Sequence, residues 1–211
     1  AQDEHENLLI DHLSKAGIVD EQKTELVDFA EERNHVAARL RRPDGTQETC
    51  AARYLSGCDG AHSTVRDGLG IGFPGGTYSH LFYVADVEAR GARMNGELHV
   101  AMDATDFLAV FPLKAEGRAR LIGTVRESAT HSRDDLSWND VSRRVIEWLR
   151  IDVERVNWFS TYRVHHRVAD RFRKGRAFLL GDAGHIHSPV GGQGMNTGIG
   201  DAVNLAWKLA A

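Results

Sequence analysis

Cysteine and proline are scarce in this sequence: two and four in 211 residues. Two cysteines, Cys50 and Cys58, cannot build the disulfide framework of a small secreted domain. Free thiols and a cytoplasmic setting are therefore expected. No apolar run approaches the roughly 20 residues that a membrane span needs, and the polar, acidic opening over 1–20 does not read as a secretory signal. A basic excess is also lacking. Lys and Arg number 26 against 30 Asp and Glu, for a formal net charge of -4, so nucleic acid is not an expected partner. Internal repeats and low-complexity tracts are absent as well. The 42% hydrophobic and 27% charged residues make a globular composition. Glycine is plentiful, at 21, and eight of these crowd into 175–200.

Periodicity divides the chain into elements. Asp3 as a cap, with Glu6 three residues on, predicts a first helix with Leu9, Leu13 and Ala16 on one face and Gly17 as its stop. Strands are predicted over 24–30, around the alternating Val36, Ala38 and Leu40, and over 49–56, with a Pro43-Asp44-Gly45 turn before the last. One or two helical turns follow over 63–70, and 72–76 reads as a loop and boundary. Beyond it come strands at 81–87, 97–102, 107–113 and 120–125, the last two joined at Glu116-Gly117. A helix over 139–149 would bury Val141, Val145, Ile146 and Leu149. A strand over 156–164 follows, then a wholly apolar strand over 177–180 of the kind buried on both faces. The last helix would present Met195, Ile199, Ala202, Val203, Ala206 and Leu209 on one face.

The chemistry concentrates in 175–208, GRAFLLGDAGHIHSPVGGQGMNTGIGDAVNLAWK. A buried strand ends at Gly181-Asp182, a loop with Pro189, Gly191, Gly192 and Gly194 follows, and a long helix begins. Free N–H groups at a helix start carry partial positive charge, and glycines let a ligand approach the backbone. Asp182 falls at the carboxyl end of a strand, where ligands of α/β sheets bind. There it can accept hydrogen bonds from sugar or ribityl hydroxyls.

This segment strongly resembles the GD motif of the class A flavoprotein aromatic monooxygenases, the p-hydroxybenzoate hydroxylase-like family. Two departures are small: Gly184 stands where alanine is usual, and Gly200 where glutamine is common. A second stretch over 54–66, YLSGCDGAHSTVR, resembles the family's DG motif, with Ser56 for the usual valine. The two lie in the family's order. The resemblance implies that Asp182 meets the ribityl chain of FAD, and that Pro189 and the loop glycines lie against the isoalloxazine ring, with Pro189 at the catalytic centre. It places Gly181, Gly191, Gly192, Gly194, Met195 and Asn196 around the cofactor. In the DG motif it assigns Asp59, Gly60 and Arg66 to FAD and the pyridine nucleotide, with Arg66 projecting toward anionic groups. The implied fold is mixed α/β: an incomplete Rossmann-like FAD-binding domain with an inserted β-sheet substrate domain. Its parts are 1–72 (DG motif), 73–168 (substrate sheet) and 169–211 (GD motif).

The family's opening strand and GxGxxG loop, which hold the ADP half of FAD, have no counterpart here. Gly68, Gly70 and Gly72 match that loop only superficially. The expectation is therefore an internal fragment or truncated frame that alone binds FAD weakly or not at all. The implied activity is FAD- and NAD(P)H-dependent hydroxylation of a phenolic or polyketide-like substrate by O₂, through a flavin C4a-hydroperoxide. A related flavin oxidoreductase, or a non-catalytic remnant or interaction domain that has lost FAD, are the alternatives. A homo-oligomer or a complementing chain are the expected protein partners. Asp182, His185 and His187 form a D-x-x-H-x-H cluster, but the flavin reading explains the whole segment and no metal is expected. Cys58 reads as a small buried residue, Trp138, Trp148 and Trp158 as core or interface, and Asp134-Asp135 as solvated loop charge or a helix start. Ser63 has no base at a suggestive spacing for a hydrolase. His165, His166 and Arg167 are placed at a strand end. Phe82, Phe107 and Phe111 are candidates to line an aromatic pocket.

Overall fold

A computed structural model describes residues 2–103, 106–125, 136–187 and 192–210. Helix α1 (Gln2–Lys15) precedes strands β1 (Glu25–Glu31), β2 (Val36–Arg41), β3 (Gln47–Ala52) and β4 (Leu55–Gly57), then the short helix α2 (Thr64–Gly68). Strands β5 (Gly75–Gly91), β6 (His99–Met102), β7 (Phe107–Pro112) and β8 (Arg118–Val125) follow. Helix α3 (Arg144–Trp148), strands β9 (Ile151–Val168), β10 (Arg173–Lys174) and β11 (Ala177–Leu179), and helix α4 (Gly194–Ala210) complete the order. The chain belongs to the mixed α/β class and divides into two compact units. The first comprises Ala1–Pro74, Val168–His185 and Met195–Ala211; the second comprises Gly75–Arg167 and Ile186–Gly194.

In the first unit α1 is already helical at Gln2, so Asp3 lies inside the helix and is not its cap. Its end follows the expected stop. Gly17 has φ +74, and Ile18 N–H donates to Leu13 O while Gly17 N–H donates to Ser14 O, the paired bonds of a Schellman ending. Leu9 and Leu13 are exposed. Strands β1, β2 and β3 form an antiparallel meander, closed at Pro43-Asp44-Gly45 by Gly45 N–H to Arg42 O. The expected strand over 49–56 is two strands in two sheets. β3 ends at Ala52, and Leu55 N–H then donates to Arg176 O, which steers β4 to pair parallel with β11. A small core of Val65, Leu69, Ile71, Ala169, Ala177, Leu179 and Ala183 lies beneath, with Phe29 and Leu55 packed on it.

In the second unit β9, β5, β8, β7 and β6 lie side by side in that order. β5 and β9 are far longer than the alternation predicts. Register shifts between Thr77 and Leu81, Asp86 and Val87, and Glu88 and Ala89 break the period of two, so only the central stretches read as strands. One sheet face carries Leu81, Tyr83, Ala85, Val87, Leu108, Val110, Ala119 and Leu121, covered by Val141, Val145 and Ile146. The expected helix over 139–149 is interrupted. Ser137 and Asp140 close a capping box on a 3-10 turn, Trp138–Asp140, after which Val141 is extended and bridges to Val125. Only Arg144–Trp148 is α-helical, yet Val141, Val145 and Ile146 are buried as their pattern requires. Trp138 packs edge-on to Tyr83, whereas Trp148 and Trp158 are exposed. Asp134 and Asp135 lie outside the described residues.

Helix α4 forms where expected but turns a different side inward. Met195, Ile199 and Val203 are exposed, and the partly covered positions are Thr197, Gly198, Asp201, Leu205 and Leu209. The half-covered side mixes small and polar residues with two leucines, and beside the GD turn the helix backbone comes into contact: a Cβ on Gly198 would stand 3.4 Å from Gly181 Cα.

Leu121 has no exposed surface and sits at the centre of the second core. Leu121→Ala is expected to lower unfolding free energy by about 2–5 kcal/mol through lost burial and the cavity left behind. Urea denaturation checks this, and a loss below about 1 kcal/mol would place the core elsewhere.

Candidate functional site

The parallel pairing of β4 with β11 brings the two sequence motifs together. Leu55 lies opposite Ala177, Ser56 opposite Phe178 and Gly57 opposite Leu179, and Leu180 N–H extends the ladder to Gly57 O at 3.0 Å. Both strands therefore end at one edge, where they deliver Cys58-Asp59-Gly60 and Gly181-Asp182-Ala183. β11 is short and apolar because it is covered: Ala177 and Leu179 are buried. Gly57 is small because α2 seats on it; a Cβ there would fall 2.7 Å from Val65 Cβ.

Two side chains hold the start of α2. Asp59 Oδ2 accepts from Val65 N–H at 3.0 Å, and Ser63 Oγ accepts from Arg66 N–H at 2.9 Å. Ser63 is fully buried, so it is a helix cap. Asp59 remains exposed at the edge. Arg66 departs from the expected outward projection. It is buried and donates from Nη1 to Ala183 O at 3.2 Å and from Nη2 to Ala61 O at 2.9 Å. Its guanidinium also lies 4.1 Å from the centroid of the Phe73 ring. An arginine in that position ties the DG turn to the GD turn, because its several donors fit several carbonyls at once.

The GD turn is a single 3-10 turn, Gly181–Ala183, after extended Leu180. Gly181 has φ +54, a conformation in which a side chain is strained. Its N–H donates to Asp201 Oδ2 at 3.0 Å. Asp182, the next residue, is exposed. Gly184 has a local reason to lack the usual alanine methyl, since a Cβ would meet the Phe172 ring at 2.6 Å. His185 is buried and faces Asp201, with Nε2 to Oδ2 at 2.6 Å. No group of three or more metal-ligating side chains gathers among the described residues.

Gly192, Gly194, Met195 and Asn196 are exposed around the start of α4. A Cβ on Gly60, Gly192 or Gly194 would meet nothing within 4 Å, so bare backbone faces open space at all three. No acidic residue lies in the first turn of α4, so no side chain of that turn offsets the partial positive charge of the helix start. Pro189 and Gly191 lie outside the described residues.

Cys58 corrects the sequence reading: it is an exposed free thiol, because it stands just past the strand end. Partial burial of its thiol, then the carboxylates of Asp59 and Asp201, push its pKa up. In the second unit, the sheet face opposite the core carries Phe82, Phe107 and Tyr162. Phe82 is 6.3 Å from Phe107 and 5.9 Å from Tyr162 between centroids. Phe111 sits further along β7, opposite Arg120. His165 and His166 lie within β9; His165 Nδ1 is 2.8 Å from Thr77 Oγ1, and the His166 ring is 4.8 Å from that of Tyr78. Sequence reasoning missed Asp201 and Tyr162. Asp201 had a visible signal, as a lone carboxylate on the side of α4 that carries the smallest residues. Tyr162 had none, since its neighbours in space are remote in the chain.

Comparison with known proteins shows the family of the chain. A family model described as FAD binding domain matches residues 1–211. A flavin-dependent monooxygenase of Mycobacteroides abscessus is 36% identical over 211 residues, covering 98% of this chain and 44% of that protein. The 6-methylpretetramide 4-monooxygenase of Streptomyces rimosus is 35% identical, covering 97% of this chain and 37% of that protein. Among solved structures, the ternary complex of aklavinone-11 hydroxylase with FAD and aklavinone superimposes with a TM-score of 0.78 at 27% identity, over 100% of this chain and 41% of that one. The chain belongs to the FAD-binding domain family of flavin-dependent aromatic monooxygenases. It spans less than half the length of these relatives.

Two predictions follow from the edge. Arg66→Ala should destabilise the chain by about 1.5–3 kcal/mol, because a charged donor is lost and carbonyls are stranded. Urea titration reads this, and an unchanged midpoint would show that Arg66 ties nothing. Cys58 should react with iodoacetamide through a thiolate that forms only above the ordinary thiol range, so at pH 8 it is alkylated more slowly than a free cysteine peptide. Rates against pH, read by mass spectrometry, check this; a midpoint at or below that of the peptide contradicts it.

Proposed function

We propose that this chain holds the ribityl and ring side of FAD and serves a flavin-dependent hydroxylation of an aromatic substrate. One observation carries the reading: two motifs distant in sequence end at one strand edge, with exposed carboxylates and bare backbone on the open side. Asp182 would accept hydrogen bonds from the ribityl hydroxyls. Asp59 and Gly60 would border the cofactor from the DG side. Arg66 acts from behind, by holding the two turns together. The start of α4, with Met195 and Asn196, would favour negative charge on the ring, and Gly192 and Gly194 join this set through the motif alone. Gly181 sets the direction of Asp182. Pro189 and Gly191 join this set through the motif alone.

Bound flavin supplies the redox and oxygen chemistry, and the protein supplies binding, orientation and a field. In this reading NAD(P)H is the reductant, O₂ the oxidant, and the protein is cytoplasmic. The row of Phe82, Phe107 and Tyr162 supports a flat aromatic substrate, because stacked or edge-on rings are favoured partners for one another. The S. rimosus relative is named for action on 6-methylpretetramide, and the solved neighbour is named for aklavinone; both names fit a phenolic or polyketide-like substrate here.

The test has two parts. Flavin fluorescence titration should show FAD uptake by the chain, weak because no GxGxxG loop holds the ADP half, that Asp182→Ala weakens further by about tenfold or more, the cost of a hydrogen bond to a charged group. With FAD and NADPH supplied, a panel of phenols and polycyclic phenols should contain a member that speeds oxygen uptake and gains one oxygen atom by mass. FAD uptake untouched by Asp182→Ala removes the assigned site, and flavin-loaded protein that consumes no oxygen with any phenol removes the activity.

A further inference from the structure

One oxygen atom in the first unit has an unusual set of partners. Asp201 Oδ2 receives Gly181 N–H at 3.0 Å and lies 2.6 Å from His185 Nε2. An ionised carboxylate only accepts, so His185 presents its N–H at Nε2. His185 is 6% exposed and its ring lies 5.9 Å from that of Phe172. The Asp201 side chain is 29% exposed. Drawing a carboxylate and an imidazole out of water is costly unless their bonds are satisfied by each other or by nearby donors. An apolar pair of the same volume would pack α4 as well, and its own neighbours Gly198 and Leu205 show that the helix can meet the unit without charge. The pair therefore has another consequence, which is geometric.

Asp201 belongs to α4, and its oxygen is bonded to both ends of the GD turn. Gly181 opens that turn and His185 follows its close at Gly184, where Gly184 N–H returns to Gly181 O at 2.8 Å. Gly181 also packs on Gly198 of the helix at ordinary contact distance, an added Cβ on Gly181 standing 3.7 Å from Gly198 Cα. Two bonds to one oxygen and this contact hold the turn on the helix. Asp182 follows Gly181 directly, and the start of α4 lies two turns before Asp201 on the same rigid helix. The two groups assigned above to the ribityl chain and the flavin ring are consequently set against each other through one carboxylate oxygen.

We infer that Asp201 and His185 form a positioning pair for the flavin site: they hold the GD turn against α4 and so fix the spacing between Asp182 and the start of that helix. Neither residue touches the cofactor in this scheme. The inference rests on the flavin reading above and names two residues which that reading leaves out.

The test uses the whole chain and two readouts. In flavin-free protein, Asp201→Ala and His185→Ala should speed hydrogen exchange of the Gly181 amide by about tenfold or more, because that amide loses its acceptor or the acceptor loses its anchor. With FAD, the same variants should weaken binding by about tenfold or more and shift the visible absorption of the bound flavin. Asp201→Asn keeps an acceptor and His185→Gln keeps a donor, so both should recover most of the binding and the spectrum. They also guard against an alanine variant that fails to fold, as judged by far-UV circular dichroism. Unchanged Gly181 exchange overturns the pair as a lock. Faster exchange with unaltered FAD affinity and spectrum overturns its role in positioning. If unsubstituted protein takes up no FAD, the flavin reading fails and this inference fails with it; that result is distinguished because it appears without any substitution.

Discussion

The parallel bond pattern between β4 and β11 is the constraint from which the site follows. Parallel neighbours cannot be joined by a tight turn, so about 120 residues separate the two strands here, and the second unit is built almost entirely within that interval. Because the strands run the same way, both chain segments leave the sheet at one edge. Had the pairing been antiparallel, Asp59 and Asp182 would stand at opposite ends. The ladder is short, three residue pairs, and is reinforced at that edge by Leu180 N–H on Gly57 O and by Arg66 across to Ala183 O. A sheet this small would be weak on its own; the core of Val65, Leu69, Ile71 and Leu179 beneath it supplies the burial that holds it.

The second unit solves a different problem with the same material. Its sheet alternates strictly enough that one face is core and the other carries aromatic rings beside ion pairs. Arg120 meets Asp86 through two bonds, at 2.7 and 2.9 Å, and Arg118 meets Glu88 at 2.9 Å. Both pairs are directly opposite in the β5–β8 register, where unlike charges favour the pairing and an offset of one residue would set them on the core side. The ion pairs are exposed and contribute little stability. Their value is in fixing register, and register decides that Phe82, Phe107 and Tyr162 share a face.

Much of this was legible in the residues. The strand positions, the turns at Pro43-Asp44-Gly45 and Glu116-Gly117, and the apolar strand before Gly181-Asp182 all have local signals. The family resemblance from two motifs agrees with the family match and with the solved structures. Where local signals compete with tertiary ones, the reading failed. The strand over 49–56 splits because Leu55 is recruited by Arg176 O, 121 positions away in the chain. The helix over 139–149 breaks because Ser137 and Asp140 cap each other and Val125 captures Val141. The inner face of α4 was misjudged for a related reason: hydrophobic periodicity marks where a helix is apolar, whereas the side turned inward here carries the contacts of Asp201 with Gly181 and His185 and of Gly198 with Gly181, which are remote in the chain.

Within the motifs, a recognisable pattern of residues is not a pattern of ligand contacts. Ser63, Gly57 and Arg66 belong to the DG motif, yet a cap, a close approach and a tie account for them. Asp201, Gly198 and His185 belong to the GD motif, and each acts on the protein itself. What remains on the outside of the first unit is a smaller set: Asp59, Gly60, Asp182, Met195 and Asn196. The inward group makes the outward group rigid. A carboxylate on a loose turn would lose conformational freedom whenever it bound a hydroxyl, and that entropy would subtract from each hydrogen bond formed. Arg66 and Asp201 meet that cost during folding, since buried bonds to Ala183 O and Gly181 N–H are made before any ligand arrives. The residues of both motifs thus answer to two demands, the packing of the protein itself and, in the proposed reading, the cofactor.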